Sequence, residues 1–226
     1  TGYNIGDAVF SLAEPADGPS AAAVENIARD SGISILYGYP ERSGQRIFNS
    51  ARLVHPSRGA IANYRKIHLY GREEKRLFAP GDGLVLAELD GLKVGILICY
   101  DVEFPEAVRA LALAGAELIA VPTALIQPFD IVSRTLVPAR AFENQAYLAY
   151  AGMCGREGNL AYCGLSRIVG PDGRDIARAG AVPTLLFAEI DPSAIQEGRE
   201  ANPYLSDRRS EIYAALDKKV GSPSAK

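Results

Sequence analysis

The sequence predicts a layered α/β protein with mixed β-sheets, and three observations lead to this fold class. Hairpin patterns fill the first half of the chain, a β-α-β pattern occupies the middle, and short strands between Gly, Pro and Asp turns follow. Hairpins combined with a crossover argue against a purely parallel sheet. With 226 residues, 48% of them hydrophobic, the chain can build a sizeable core.

The first predicted helix follows an irregular opening. The stretch SAAAVENIARDSG (20–32) predicts a helix that Ser20 caps and Gly32 stops. The next stretch, ISILYGYPER (33–42), carries β-branched and aromatic residues and predicts a strand.

Two hairpins are predicted next. The stretch RIFNSARLVHPSRGAIANYRKIHL (46–69) turns at PSRG, because Pro and Gly separate two alternating runs. The stretch LVLAELDGLKVGILICY (84–100) predicts a second hairpin that turns at DG.

The middle of the chain predicts a β-α-β unit, in which the helix EFPEAVRALALAG (103–115) precedes the strand ELIAVPTAL (117–125). A further helix covers part of IVSRTLVPARAFENQ, and Pro138 either kinks it or starts its second half. The last strands are expected in YLAYAGMCG (147–155), GLSRIVGPDGRDIARAG (164–180) and TLLFAEID (184–191).

Composition narrows the function classes. A net charge of −3 with scattered basic residues gives no electrostatic footprint for nucleic acid or an anionic membrane. No apolar run approaches the roughly 20 residues that span a bilayer. Three cysteines are too few for a disulfide scaffold and suit a reducing compartment, so a cytoplasmic location is expected.

Cys99 lies where the apolar run GILI ends and the helix pattern begins. Backbone N–H groups in such a turn, including that of Tyr100, can face an anion, and they would stabilise a thiolate or an oxyanion. Free cysteines also pack into cores as small apolar residues. Position alone therefore leaves two interpretations open, a nucleophile and a packed core residue.

A thiol nucleophile needs a partner that takes its proton. The chain has two histidines, of which His55 adjoins the PSRG turn and His68 follows the strand pattern, so a Cys–His hydrolase is possible but unsupported. Cys99, Cys154 and Cys163 lack the paired spacing of zinc ligands, and no metal site is predicted.

Two motifs together, YRKIHL (64–69) and LICYDVEFPE (97–106), resemble the nitrilase superfamily of carbon–nitrogen hydrolases. Further matches follow in order along essentially the whole chain: TGY at 1–3, ARAFEN at 139–144, CGREGNLAYCGLS at 154–166 and DRRSEIY near the end. The resemblance implies a four-layer α-β-β-α sandwich of two mixed β-sheets in a single domain. It also implies no cofactor, no metal, and a homodimer or larger homo-oligomer.

The resemblance assigns roles to four residues. Cys99 would be the nucleophile and Lys66 the lysine of a Glu-Lys-Cys triad. Glu74 matches a second glutamate that positions the substrate or assists proton transfer in related amidases, although Glu73 is a nearby rival. The backbone N–H of Tyr100 would complete an oxyanion hole with Lys66.

The chain departs from the family pattern in two places. The triad glutamate lies just ahead of TGY in relatives, so we expect it ahead of Thr1, together with the first strands and helix. Gly152 stands where similar sequences often carry asparagine, and substrate contacts on that side are expected to differ. At the other end, residues from about 218 to 226 are expected to form a flexible tail.

The predicted activity is hydrolysis of a small aliphatic amide to acid and ammonia through a cysteine thioester. CYD after the strand resembles the amidase branches, whereas typical nitrilases carry tryptophan after the nucleophile and this chain has none. A nitrilase or an N-carbamoyl amidohydrolase is the alternative. The alternative from another class is a non-catalytic binding protein on the same fold.

Overall fold

Two β-sheets lie face to face in the computed structural model, which describes residues 3–214. The three-stranded sheet has the order β1-β2-β3 and the six-stranded sheet the order β11-β10-β7-β6-β5-β4, while β8 and β9 form a separate hairpin. The strands are β1 (Ile35–Ser43), β2 (Arg46–His55), β3 (Gly59–Arg65), β4 (Val85–Leu89), β5 (Leu92–Ile96), β6 (Leu118–Thr123), β7 (Tyr147–Gly152), β8 (Cys154–Glu157), β9 (Leu160–Cys163), β10 (Arg167–Val169) and β11 (Asp175–Arg178).

Residues 3–214 include six helices. They are α1 (Val9–Leu12), α2 (Pro19–Ser31), α3 (Gly71–Leu77), α4 (Pro105–Leu113), α5 (Val137–Asn144) and α6 (Pro192–Ala201). Short 3₁₀ turns cover Gly6–Ala8 and Cys99–Glu103, and a π-helical turn at Val132–Leu136 leads into α5. Pro138 stands in the first turn of α5, so it starts this second helical half.

The layers follow the order α-β-β-α. Helix α2 packs on β2. Across the gap between the sheets, β3 contacts β4 and β1 contacts β6. On the far side α5 covers β7, and α4 packs beside α5. Between the layers lies one core of buried apolar side chains, among them Ile96, Leu97, Ile119, Val121 and Leu148. This apolar core holds the two sheets together.

The six-stranded sheet is mixed, and its three central strands set the geometry of the site. Strand β6 pairs in parallel with both β5 and β7, whereas β4, β10 and β11 pair antiparallel. The carboxyl ends of β5, β6 and β7 therefore meet at one edge, where ligand sites of open α/β sheets are found. The residues that follow these strands are candidates for chemistry.

Both predicted hairpins are confirmed. Strands β2 and β3 are joined at residues 56–58, and β4 and β5 at Asp90 and Gly91. The last two residues have φ values of 53° and 90°, as the tight turn of a two-residue hairpin requires.

The helix over residues 19–31 begins differently from the prediction. Gly18, not Ser20, is the N-cap, and Pro19 opens the helix. The predicted cap was wrong because a carboxylate from outside the helix supplies the acceptor: Glu14 accepts the Ser20 N–H at 2.7 Å and its hydroxyl at 3.0 Å. The predicted stop is confirmed, since Gly32 ends the helix with φ 70°.

The strand predicted at TLLFAEID (184–191) is wrong for the described structure. The segment is extended, but no strand among residues 3–214 pairs with it. Exposed and half-buried side chains alternate over residues 185–190, and Leu185 and Phe187 are 83% and 81% exposed. The period-two pattern that predicted a strand is therefore real, but a ladder needs a neighbouring strand as well as a pattern.

Two further observations complete the fold. Within the described residues, no helix is both long and apolar enough to cross a membrane. The flexible tail expected from about residue 218 lies outside the described residues.

Candidate active site

A cavity of about 270 Å³ opens where the carboxyl ends of β5, β6 and β7 face the three-stranded sheet. Cys99 follows β5, Thr123 and Ala124 lie at the end of β6, and Met153 follows β7. The opposite wall comes from β1, β2 and the end of β3, and the remaining lining is mostly apolar. These other lining residues are Tyr3, Ile5, Gly38, Tyr39, Pro40, Asn49, Lys66, Phe78, Ile98, Pro122 and Ala151.

Cys99 lies in a strained turn at the end of its strand. The Leu97 N–H donates to the Ala120 carbonyl at 3.1 Å and extends the parallel pairing beyond Ile96. Cys99 then adopts φ 49°, a left-handed conformation that is rare for a residue other than glycine, and starts the 3₁₀ turn. Strained residues of this kind cluster at functional sites. Sequence reasoning placed Cys99 at this joint but missed the strain, because cysteine carries no signal for a positive φ.

The carboxylate of Asp101 ties this turn to the neighbouring sheet. It is fully buried and accepts the Ile98 N–H at 3.0 Å and the Tyr64 hydroxyl at 2.8 Å on one oxygen. Its other oxygen accepts the His68 N–H at 2.9 Å and lies 3.0 Å from Nδ1 of the same histidine. Because Tyr64 belongs to β3, this carboxylate fixes the Cys99 turn against the chain that carries Lys66. Sequence reasoning missed this role.

Neither histidine lines the cavity. The His68 ring stacks on Phe104, with the ring centroids 3.7 Å apart, and its Nδ1 is engaged with Asp101. His55 lies beside the β2–β3 turn and contacts Asp90 at 3.1 Å. Both side chains are therefore occupied in scaffolding, and a Cys–His arrangement has no support in this geometry.

Lys66 is fully buried and paired with Glu74. Its Nζ donates to the two carboxylate oxygens at 2.7 and 2.8 Å, and Glu74 also accepts the Tyr70 N–H at 2.7 Å. Helix α3 supplies Glu74, and the neighbouring Glu73 is exposed and bonds Arg76 instead. The fold therefore selects Glu74 over its rival as the carboxylate beside Lys66.

The backbone around Lys66 is held from both sides. Its N–H donates to the Asn49 carbonyl and its carbonyl accepts the Gly81 N–H, both at 2.8 Å. A Cβ on Gly81 would lie 2.2 Å from the Arg65 carbonyl oxygen, so only glycine allows this close approach. The turn PGDG at residues 80–83 therefore holds the strand end that presents Lys66.

Tyr100 contributes its backbone rather than its side chain. The ring packs edge-on against Tyr70 and Phe104 and does not line the cavity. Among the hydrogen bonds of residues 3–214, the Tyr100 N–H has no acceptor. It stands at the start of the 3₁₀ turn, where the first N–H groups are free to bind a ligand.

Burial also shifts the pKa of Tyr3, which lines the cavity, and of Glu103, which ends the turn that begins at Cys99. Burial, together with the nearby Glu74 carboxylate and Cys99 thiol, holds the pKa of Tyr3 well above its usual value, so the phenol stays neutral. Burial also raises the pKa of Glu103, although the charges of Lys66 and Arg140 oppose the shift. Sequence reasoning did not single out Tyr3 as a lining residue.

The ARAFEN segment (139–144) has a structural role beside the site. Arg140 pairs with Glu143 at 3.0 Å on one face of α5. The same guanidinium donates to the carbonyls of Val102 and Glu103 at 3.1 and 2.9 Å. It therefore supports the end of the 3₁₀ turn that begins at Cys99.

Gly152 does not line the cavity, although its neighbours Ala151 and Met153 do. A Cβ at this position would lie 2.4 Å from the carbonyl oxygen of Gly164. The residue that replaces the common asparagine thus permits a close contact with the chain after β9. Any effect on the substrate would pass through its neighbours.

Comparison with known proteins places this geometry in a class. Residues 1–200 match the family model described as carbon-nitrogen hydrolase. A protein of Pseudomonas protegens named "Hydrolase in pqqF 5′ region" is 52% identical over 223 residues, 97% of this chain and 78% of that protein. An (R)-stereoselective amidase from Pseudomonas sp. is 35% identical over 92% of this chain and 76% of its own.

A solved amidase structure has the same fold as this chain. A variant of the amidase from Nesterenkonia sp. AN1 superposes with a TM-score of 0.79 at 38% identity, covering 87% of this chain and 72% of its own. It carries covalent addition of the acetamide moiety of fluoroacetamide at its active-site cysteine. The α-β-β-α fold and these relatives define a carbon–nitrogen hydrolase. The chain belongs to the carbon–nitrogen hydrolase family, in the amidase-like branch of the nitrilase superfamily.

Proposed function

We propose that this protein hydrolyses the carbon–nitrogen bond of a small, uncharged aliphatic amide, giving acid and ammonia through a thioester on Cys99. One observation carries the proposal: a single cavity holds Cys99 in a strained turn and a fully buried Lys66. Family membership supports the reaction class. The adduct on the cysteine of the Nesterenkonia amidase supports a thiol nucleophile.

The first half of the reaction forms the thioester. The Cys99 thiolate attacks the amide carbon, and the carbonyl oxygen takes the negative charge. The Lys66 ammonium and the Tyr100 N–H hold this oxyanion, and each well-placed donor contributes on the order of 3 kcal/mol to transition-state stabilisation. The carbon–nitrogen bond then breaks, and the protonated nitrogen leaves as ammonia.

Glu74 positions Lys66 and assists proton transfer. Both of its oxygens accept from Nζ, so they aim the ammonium while leaving one of its three protons for the oxyanion. The base that takes the thiol proton is the glutamate that the family resemblance places ahead of Thr1. Water then attacks the thioester carbon, releases the acid and restores the thiol.

The cavity favours an uncharged acyl group. Its volume of about 270 Å³ suits a small substrate, and Tyr39, Phe78 and Met153 give it an apolar wall. Lys66 is the one charged side chain among the described lining residues, and Glu74 already neutralises it. A carboxylate on the substrate would thus lose its hydration without gaining a counter-ion.

The test is ammonia release by the full-length protein, including any residues encoded ahead of Thr1, from short amides, nitriles and N-carbamoyl compounds. We expect release from neutral short amides, and loss of at least a hundredfold in kcat/KM when a carboxylate replaces the terminal methyl group. Preferred turnover of a nitrile or a carbamoyl compound would overturn the amide assignment. Absence of any turnover would favour the binding-protein alternative.

Matched variants test the residues. Cys99→Ala and Lys66→Ala should abolish release, and Glu74→Gln should lower kcat, while circular dichroism shows that the fold persists. Glu73→Gln and Lys75→Ala, which change exposed neighbours on α3, should retain activity. Substantial activity in the Cys99 or Lys66 variant would refute the assignment.

We also propose a homodimer or larger homo-oligomer and a cytoplasmic location. Exposed apolar side chains on the outer helices, Leu113 on α4 and Phe142 on α5, support an interface there. Three free thiols support a reducing compartment. Light scattering after size exclusion and cell fractionation test the two proposals, and a monomer or a secreted protein would contradict them.

A further inference from the structure

The β8–β9 hairpin holds two cysteines that the proposed reaction does not use. In the antiparallel pairing of these strands, Cys154 lies directly opposite Cys163. Both are free thiols in this structure. Directly opposite residues point their side chains to the same face of a sheet, so the two sulfur atoms are on one side of the hairpin.

The hydrogen-bond pattern identifies the type of this pair. The Ala161 carbonyl faces away from β8 and accepts the Gln127 N–H at 2.9 Å, so Ala161 and its partner Arg156 form a non-hydrogen-bonded pair. The Cys163 N–H points away from β8 and donates to the Leu125 carbonyl at 2.8 Å. Since the two types alternate, Cys154 and Cys163 form a non-hydrogen-bonded pair, whose Cα atoms lie about 4.5 Å apart. That separation falls within the disulfide range of about 4.4–6.8 Å.

The two thiols differ in access. Cys154 is half-buried and lines a second cavity with Gly164 and Ser166, whereas Cys163 is buried in the core. A small oxidant therefore reaches Cys154 first. Cys163 is placed to react with whatever forms on it.

We propose that Cys154 and Cys163 are a redox modification site that forms a reversible disulfide with a peroxide. The Cys154 sulfur attacks one peroxide oxygen, the O–O bond breaks, and a sulfenic acid and water form. The Cys163 sulfur then attacks the Cys154 sulfur, the S–O bond breaks, and a second water leaves. Two thiols and one H₂O₂ thus give one disulfide and two waters, and a dithiol reductant reverses the step.

The bond would restrain the wall of the catalytic cavity. Met153, next to Cys154 in the chain, lines that cavity, and its N–H donates to the Thr123 carbonyl at 3.0 Å. Oxidation joins the base of the hairpin at this point. The modification site itself does not depend on the proposed amide hydrolysis.

A tryptic map without reduction tests the proposal, because Arg156 separates the two cysteines. The folded protein is treated with one equivalent of H₂O₂, free thiols are alkylated in acid, and the digest is analysed by mass spectrometry. We expect peptides 141–156 and 157–167 to be joined in most molecules, with the loss of two hydrogens. Dithiothreitol should separate them.

Two variants sharpen the outcome. In Cys99→Ala the same cross-link must still form, since Cys99 takes no part in it. In Cys163→Ala the cross-link must vanish, and the oxidised sulfur of Cys154 must become trappable by dimedone. Independent oxidation of both thiols to sulfinic acid, or a disulfide between Cys99 and either cysteine, would overturn the proposal.

Discussion

Replacing Asp101 by asparagine should loosen the joint between the Cys99 turn and β3. The carboxylate receives four contacts from three residues: Ile98, Tyr64 and His68. An asparagine can accept at only one of its two terminal atoms, so two of the four contacts are lost. Hydrogen bonds to a charged acceptor contribute about 1.5–3 kcal/mol each, and a neutral amide costs less to bury. Two lost contacts would together cost about 3–6 kcal/mol, and because the amide is cheaper to bury we expect the free energy of unfolding to fall by about 3 kcal/mol.

Urea unfolding followed by circular dichroism measures this loss, and Tyr64→Phe is the matched control because it removes one contact. We expect about half the loss in the control, near 1.5 kcal/mol. Ammonia release should also fall at least tenfold in Asp101→Asn, since the nucleophile is displaced. If Asp101→Asn is no less stable than Tyr64→Phe, the reasoning that this carboxylate ties the two elements together is refuted.

Burial acts to raise the pKa of Glu41, but hydrogen bonds from Arg65 and other donors outweigh it and hold the pKa below the usual 4.5. The wild type should therefore be more stable than Glu41→Gln by a constant amount above pH 4.5, and this difference should vanish as the pH falls through the lowered pKa. Urea unfolding at several pH values measures the difference, and a difference that does not change with pH would contradict the prediction. Gly152→Ala should cost about 2 kcal/mol in the same assay, because its Cβ would meet the Gly164 carbonyl oxygen at 2.4 Å. Gly180→Ala, whose Cβ meets nothing within 4 Å, should change little, and equal losses would argue against the contact.

The local pattern predicted most elements because each was specified by its own residues. Gly and Pro have backbone preferences of their own that do not depend on distant residues. These preferences account for the hairpin turns at PSRG and DG, the helix end at Gly32 and the helix start at Pro138. The wrong predictions depended on partners elsewhere in space. Ser20 lost its capping role to a carboxylate six residues earlier, and TLLFAEID has no neighbouring strand among the described residues.

Some features of the site were also predicted by local motifs, and others depend on distant residues. The motifs around Lys66 and Cys99 indicated the two residues, and the fold brings both to one cavity. Two features of the site had no local signal in the sequence. The positive φ of Cys99 falls on a residue type that does not favour it. The role of Asp101 depends on His68 and Tyr64, which lie 33 and 37 positions away. The choice of Glu74 over its neighbour also needed the helix α3 that orients them.

In the proposed mechanism Cys99 carries the acyl group during turnover. The most direct measurement is to quench the full-length protein with acid while it hydrolyses a short amide, digest it with trypsin and locate the acyl mass. We expect the acyl group on peptide 94–109, at Cys99, and none on the peptides that hold Cys154 and Cys163. Continued ammonia release with no acyl group on this peptide, or with the acyl group on another residue, would contradict it.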